Sequence, residues 1–110
     1  MKSHHALLLL ALVAPLAQAH AEEDTVAEIW TAKCKSCHGP DGKAQTQMGK
    51  KEHIDDLSHP NWHKRHSDAQ IRQVITEGST ENKKMKAYKD KLTPQQIEAL
   101  VAYVRGFNKS

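Results

Sequence analysis

The sequence predicts an all-α fold, with about three main helices plus short turns wrapped around one bound group. Three observations carry this. Apolar residues recur at helical spacing, with no strand-like alternation, internal repeat or low-complexity tract. Two segments open with capping-box residues. A long polar stretch over 39–66 lies between the first two helical patterns, and a loop of that length is unusual in a compact domain unless it wraps something.

The elements follow in chain order. Residues 1–21 combine a short basic start, an apolar run from Ala6 to Ala17, and small residues at Ala17-Gln18-Ala19 and Ala19-His20-Ala21. That pattern predicts a cleavable secretory signal peptide, cut after Ala19 or Ala21. The run is short for a bilayer span, which needs about 20 residues, and Pro15 interrupts it. No stable membrane insertion is expected, and residues 22–110 are expected to form one domain. Val26, Ile29 and Trp30 give the first helical stripe, leading into Cys34 and Cys37. Gly39-Pro40-Asp41-Gly42 and His59-Pro60-Asn61 mark turns in the polar stretch. Ser67-Asp68-Ala69-Gln70 opens a helix carrying Ile71, Val74 and Ile75, and Gly78 closes it. Thr93-Pro94-Gln95-Gln96 opens the last helix with a Thr cap, Pro at the first helical position and a Gln box partner. Ile97, Leu100, Val101 and Val104 form its stripe, and Gly106 lies near its end.

Composition adds a constraint. The 110-residue chain is 38% hydrophobic, but much of that lies in the first 21 residues. The remainder is a thin core for a small domain, and such domains usually need a staple or cofactor. The net charge of +3 does not predict nucleic-acid binding. Lys83, Lys84, Lys86, Lys89 and Lys91 nevertheless crowd one segment.

The chemistry is carried by Cys34-Lys35-Ser36-Cys37-His38, the c-type haem attachment pattern. Each thiol can add to one haem vinyl group, giving two thioether bonds. One helical turn between Cys34 and Cys37 spans vinyls on adjacent pyrroles. His38, fixed beside the second thioether, can then donate a ring nitrogen to the iron. Other readings compete. A Cys34–Cys37 disulfide or a thioredoxin-like site fits the spacing, but no βαβ pattern surrounds it. Cys34, Cys37, His53 and His59 formally satisfy a Cys2His2 zinc spacing, but residues 38–52 supply only Ala44 and Met48 for a finger core. Two unrelated free thiols are the blandest alternative. A sixth ligand must come from elsewhere. Met85 and Met48 offer soft thioethers, which raise haem potential and suit an electron carrier. His53, His59, His63 and His66 are alternatives whose usual fate in a polar segment is a solvated surface with no functional metal.

These residues together resemble the class I c-type cytochromes, the small monohaem His/Met group, over nearly all of residues 22–110. The matching features are the first helix with Ala27 and Trp30, Cys34 to Gly39, and Leu-Val-Ala-Tyr-Val-Arg at 100–105. The resemblance implies that Ala27 and Trp30 meet Leu100 and Tyr103 where the first and last helices cross, with Trp30 and Tyr103 acting as packing residues. It points to Met85, within Lys84-Met85-Lys86-Ala87-Tyr88, as the distal iron ligand opposite His38. Many relatives have Pro directly after that Met, where this chain has Lys86. The turn at Gly39–Gly42 is expected to hold the His38 ring N–H with its carbonyls. The implied function is a soluble periplasmic electron carrier, not an enzyme, with one covalent haem c cycling between Fe(II) and Fe(III). Its expected partners are redox proteins: a donor dehydrogenase or cytochrome complex and an acceptor oxidase or reductase. They would dock on the basic rim of Lys83, Lys84 and Lys86.

Overall fold

The computed structural model describes residues 2, 3 and 24–109. The signal peptide expected over 1–21 falls almost wholly outside these residues. Among them are six helices and no strand. Helix α1 is Val26–Lys33, capped by Thr25, whose side chain accepts from Glu28 N. The chain turns at Cys34 and continues at once into α2, Lys35–His38, which Gly39 closes. Helix α3, Gln47–Lys51, is capped by Thr46. Helix α4, Pro60–Arg65, has Pro60 in its first turn and the His59 ring as its cap. Helix α5, Asp68–Glu77, carries the complete Ser67/Gln70 capping box and stops at Gly78. Helix α6, Pro94–Arg105, carries the complete Thr93/Gln96 box.

The three expected helices are α1, α5 and α6. The stretch over 39–66, expected to be mostly loop with a short helical turn, holds two short helices, α3 and α4. Both are one to two turns long and are stabilised at their caps rather than by an apolar stripe. A helix that short leaves no periodic signal and is not stable alone.

Helix α6 is the hub and packs on both α1 and α5. One core cluster joins Ile29 and Trp30 of α1, Ile71 and Ile75 of α5, and Ile97, Leu100, Val101 and Val104 of α6, with Leu57, Trp62 and Leu92 from between. Burying each such aliphatic side chain contributes about 1.5–3 kcal/mol. The Trp30 ring lies 5.3 Å from Tyr103 and 5.0 Å from Phe107, centroid to centroid. Ile29 and Trp30 are the buried residues of α1, while Ala27, expected at the same crossing, is exposed.

A polar clamp fixes the other end of α6. Arg105 Nε donates to Asp68 Oδ1 at 2.7 Å, and its Nη2 to the His66 carbonyl at 2.6 Å. Its Nη1 lies 3.0 Å from His63 Nδ1 and 3.2 Å from the His63 carbonyl. One side chain thereby ties α6 to the end of α4 and the start of α5.

Candidate functional site

Between α1, α2, α5 and the Met85 segment lies a cavity of about 790 Å³. Cys34, Cys37, His38 and Met85 all line it, as do Met48 and Trp62. The sequence-predicted site residues, spread from 34 to 85, are therefore brought to one space. Both candidate thioethers border it.

Helix geometry places the first three. Cys34 ends α1, with its N–H on the Trp30 carbonyl, and the one-turn α2 carries Cys37 and His38. The turn is braced from both sides. Trp30 Nε1 donates to the Gly39 carbonyl at 2.9 Å. Thr46 Oγ1 donates to the Cys37 carbonyl at 2.8 Å. Gly49 of α3 packs so closely that a Cβ there would collide with the Ala44 carbonyl and meet the Cys37 carbonyl at 2.7 Å.

Cys34 and Cys37 are free thiols, not a disulfide. Burial pushes the Cys34 thiol up to about 11, with Lys33 offsetting part of the rise and Cys37 adding to it. A neutral thiol of that kind is a poor metal thiolate and a poor redox nucleophile. Burial also lowers the basicity of His38, keeping its imidazole neutral with a lone pair to give. Its Nδ1 is buried and has no hydrogen-bond partner among the described residues. The carbonyls of the Gly39–Gly42 turn were expected to take the ring N–H, and none pairs with Nδ1. Gly39 O serves Trp30 Nε1, and Gly42 O serves Leu57 N at 2.8 Å.

These features fit a covalently held haem. Two thiols one turn apart face the cavity beside a neutral imidazole with an orphaned nitrogen. Helix α5 lends Ile71, Val74 and Ile75 to the lining, and Val74, on its apolar stripe, is 40% exposed.

The Met85 segment is tightly fastened. Met85 O accepts from Ser79 N, and Met85 N donates to Asn82 O, both at 3.0 Å. Gly78, with φ of +83°, lets the chain fold back, and a Cβ there would meet the Met85 carbonyl at 2.9 Å. Tyr88 N donates to Ile75 O at 3.0 Å, and the Tyr88 hydroxyl to Lys33 O at 3.1 Å. The order that Pro gives elsewhere in the resembling family is supplied here by hydrogen bonds around Lys86.

The lysines divide into two groups. Lys84 pairs with Glu52, whose carboxyl it holds below the usual range by hydrogen bonding. Lys89 pairs with Glu77 at 3.0 Å, and the Lys91 ammonium lies 5.9 Å over the Tyr88 ring. Lys83 and Lys86 are exposed and have no partner among the described residues. The expected basic rim of Lys83, Lys84 and Lys86 is thus partly neutralised by Glu52.

The histidines are not uniformly solvated. His63 is buried, with Nε2 2.6 Å from the Leu57 carbonyl. His59 Nδ1 caps α4, accepting from Asn61 N at 3.1 Å. His66 and His53 line the cavity. Among the described residues, no group of three or more His, Cys, Asp or Glu is placed to hold a metal ion. Sequence reading missed the supporting roles of Gly49, Tyr88 and Phe107, which depend on contacts between distant segments.

Residues 21–104 match the family described as cytochrome c oxidase, cbb3-type, subunit III. The chain is 37% identical over 78 residues to the cbb3-type cytochrome c oxidase subunit FixP of Azorhizobium caulinodans. The match covers 71% of this chain but 25% of FixP, so the chain spans about a quarter of that relative's length. Among solved structures it is similar to the KustC0563 c-type cytochrome, at 36% identity and a TM-score of 0.70. That match covers 78% of this chain and 100% of the other. A tyrosine-to-phenylalanine mutant of the same cytochrome matches at 36% identity and a TM-score of 0.66, covering 76% and 98%.

Proposed function

The chain belongs to the cbb3-type cytochrome c oxidase subunit III family of c-type cytochrome domains, and from that premise we propose that it is a periplasmic one-electron carrier holding a single haem c. The carrying observation is the convergence of Cys34, Cys37, His38 and Met85 on one cavity. When bound, the haem supplies an Fe(III)/Fe(II) couple. Cys34 and Cys37 would hold it by thioethers, and His38 would offer the iron a ring nitrogen. Met85 would offer the iron a thioether sulfur, the kind of ligand that raises a haem potential. Trp30 and Thr46 keep the attachment turn in place through its carbonyls. Exchange of electrons needs no change of ligand, which separates a carrier from a haem enzyme with an open site.

Export by the segment over residues 1–21 would place the chain in the periplasm. No helix of the described residues is long and apolar enough to cross a membrane. A second reading has a specific support: the relative FixP is an oxidase subunit and about four times the matched length. On that reading the same site passes electrons within an assembly.

Mass spectrometry after acid–acetone extraction tests the attachment, using protein exported with haem-attachment machinery. Chain plus haem is expected, and haem that extracts cleanly would refute it. Met85→Ala and Met48→Ala, compared side by side, test the ligand. Met85→Ala is expected to lower the potential and admit carbon monoxide, while Met48→Ala leaves the spectrum intact. The reverse pattern would move the ligand to Met48.

A further inference from the structure

This inference rests on the reading of Met85 as an iron ligand and concerns what holds that methionine in place. Met85 sits in the segment over 79–87, between the end of α5 and Tyr88. The hydrogen bonds of this segment are mostly internal. Ser79 N donates to Met85 O, and Met85 N to Asn82 O, both at 3.0 Å. Ser79 Oγ accepts from Glu81 N at 3.1 Å and from Asn82 N at 3.2 Å, and Asn82 Oδ1 accepts from Lys84 N at 3.0 Å. Among the described residues, the hydrogen bonds that leave the segment all go to one side chain. Asn82 Nδ2 donates to Glu52 Oε2 at 3.3 Å, and the Lys84 ammonium donates to Glu52 Oε1. Glu52, Asn82, Lys84 and Met85 all border the cavity.

Glu52 is itself fixed from the opposite side. It caps the end of α3, with its N–H on the Met48 carbonyl at 2.9 Å. The chain then turns through His53, at a φ of +53°, and Ile54 N returns to the Gly49 carbonyl at 3.0 Å. That closure sets the backbone that carries the carboxylate. Helix α3 is in turn seated on the attachment turn: Gly49 lies against the Cys37 carbonyl, and Thr46 Oγ1 donates to it at 2.8 Å. A continuous path therefore runs from Cys37 through Gly49 and Glu52 to the segment that carries Met85. The Glu52 side chain is 18% exposed and that of Lys84 57%, so the acid belongs to the wall and the lysine reaches over to it.

We propose that Glu52 is a positioning residue for Met85. Its carboxylate straps the 79–87 segment to α3, and so to the turn that carries Cys37 and His38. Without the strap, the segment is held by the packing of Met85 against the core cluster and by its junctions with α5 and Tyr88. The strap thereby governs how often Met85 leaves its place and opens the cavity to a competing ligand. Glu52 touches neither Cys34, Cys37 nor His38 by any hydrogen bond; it acts through Asn82 and Lys84.

The probe is imidazole, a small ligand that competes with Met85 for the iron of the haem-loaded chain. Its apparent affinity scales with the fraction of molecules in which Met85 is displaced. Glu52→Ala is expected to raise that affinity about two- to fivefold, the span of one partly exposed ion pair. Glu52→Lys combined with Lys84→Glu rebuilds the pair in reverse and is expected to return the affinity close to wild type. Glu98→Ala is the control for a merely structural effect. It removes the 2.7 Å Arg72–Glu98 pair between α5 and α6, and is expected to lower the urea midpoint while leaving imidazole affinity unchanged. Wild-type affinity in Glu52→Ala, an equal gain in Glu98→Ala, or an exchange variant as open as Glu52→Ala would each overturn the proposal. Met85→Ala separates the two levels of the argument. If it raises imidazole affinity and Glu52→Ala does not, the strap alone is refuted. If Met85→Ala leaves both the affinity and the absorption bands unchanged, the ligand reading fails and the strap falls with it.

Discussion

At the scale of single residues, the attachment turn is defined by what leans on it. Gly49 has no room for a side chain because two backbone carbonyls, of Ala44 and Cys37, occupy the place of its Cβ. Neither carbonyl can swing away as a long side chain would. Gly49→Ala is therefore an overpacking change, expected to cost about 1–3 kcal/mol of stability. Because one of the two carbonyls belongs to Cys37, the haem bands of the loaded protein are also expected to shift. Urea unfolding and an optical spectrum of Gly49→Ala check both effects. A variant as stable as wild type would mean that α3 can slide outward freely. The spacing of residues 34, 37 and 38 points to the proposed attachment, because two thioethers to one haem would demand that spacing. Gly49 was not, because its role exists only once residues 44 and 37 are folded onto it.

At the scale of elements, the two long capped helices were readable because each carries both a stripe and a written start. Ser67/Gln70 and Thr93/Gln96 form reciprocal boxes, each satisfying two backbone N–H groups. Replacing a cap hydroxyl by a methyl group removes one acceptor. Thr93→Ala and Ser67→Ala are each expected to cost about 1 kcal/mol. The urea midpoint should fall with the slope unchanged, since neither change alters the surface buried in the fold. A changed slope would mean that a cap governs more than its own helix. Helices α3 and α4 were legible only as a short helical turn, for the complementary reason. Their starts depend on Thr46 and on the ring of His59, and neither has an apolar stripe to confirm it. Val74 reads as core in the sequence, because a helical stripe cannot tell a packed face from a face turned to a cofactor cavity.

At the scale of the whole molecule, the question is what charge an approaching redox partner meets. Counting lysines along the chain predicts a basic rim near Met85, but folding brings acids to it. Glu52, 32 residues before Lys84, pairs with that lysine, and Glu77 pairs with Lys89. Exposed pairs of this kind add little stability, but they cancel much of each lysine's field at a distance. The unpaired charges, Lys83 and Lys86, are then the ones that steer. Electrostatic steering speeds encounters between opposite charges and fades as salt screens them, with a Debye length of about 8–10 Å near physiological ionic strength. Ferricyanide, a small anionic oxidant, is a suitable probe for the reduced, haem-loaded chain. Its second-order rate constant is expected to fall as salt rises. Lys83→Glu with Lys86→Glu should slow the reaction and flatten that dependence more than Lys84→Glu with Lys89→Glu does. Glu52→Gln separates the structural argument from simple charge counting. It frees the Lys84 ammonium beside the cavity, and is expected to speed ferricyanide oxidation and steepen its salt dependence. Equal effects from the two lysine pairs, or no gain in Glu52→Gln, would show that Glu52 does not govern the field at this edge.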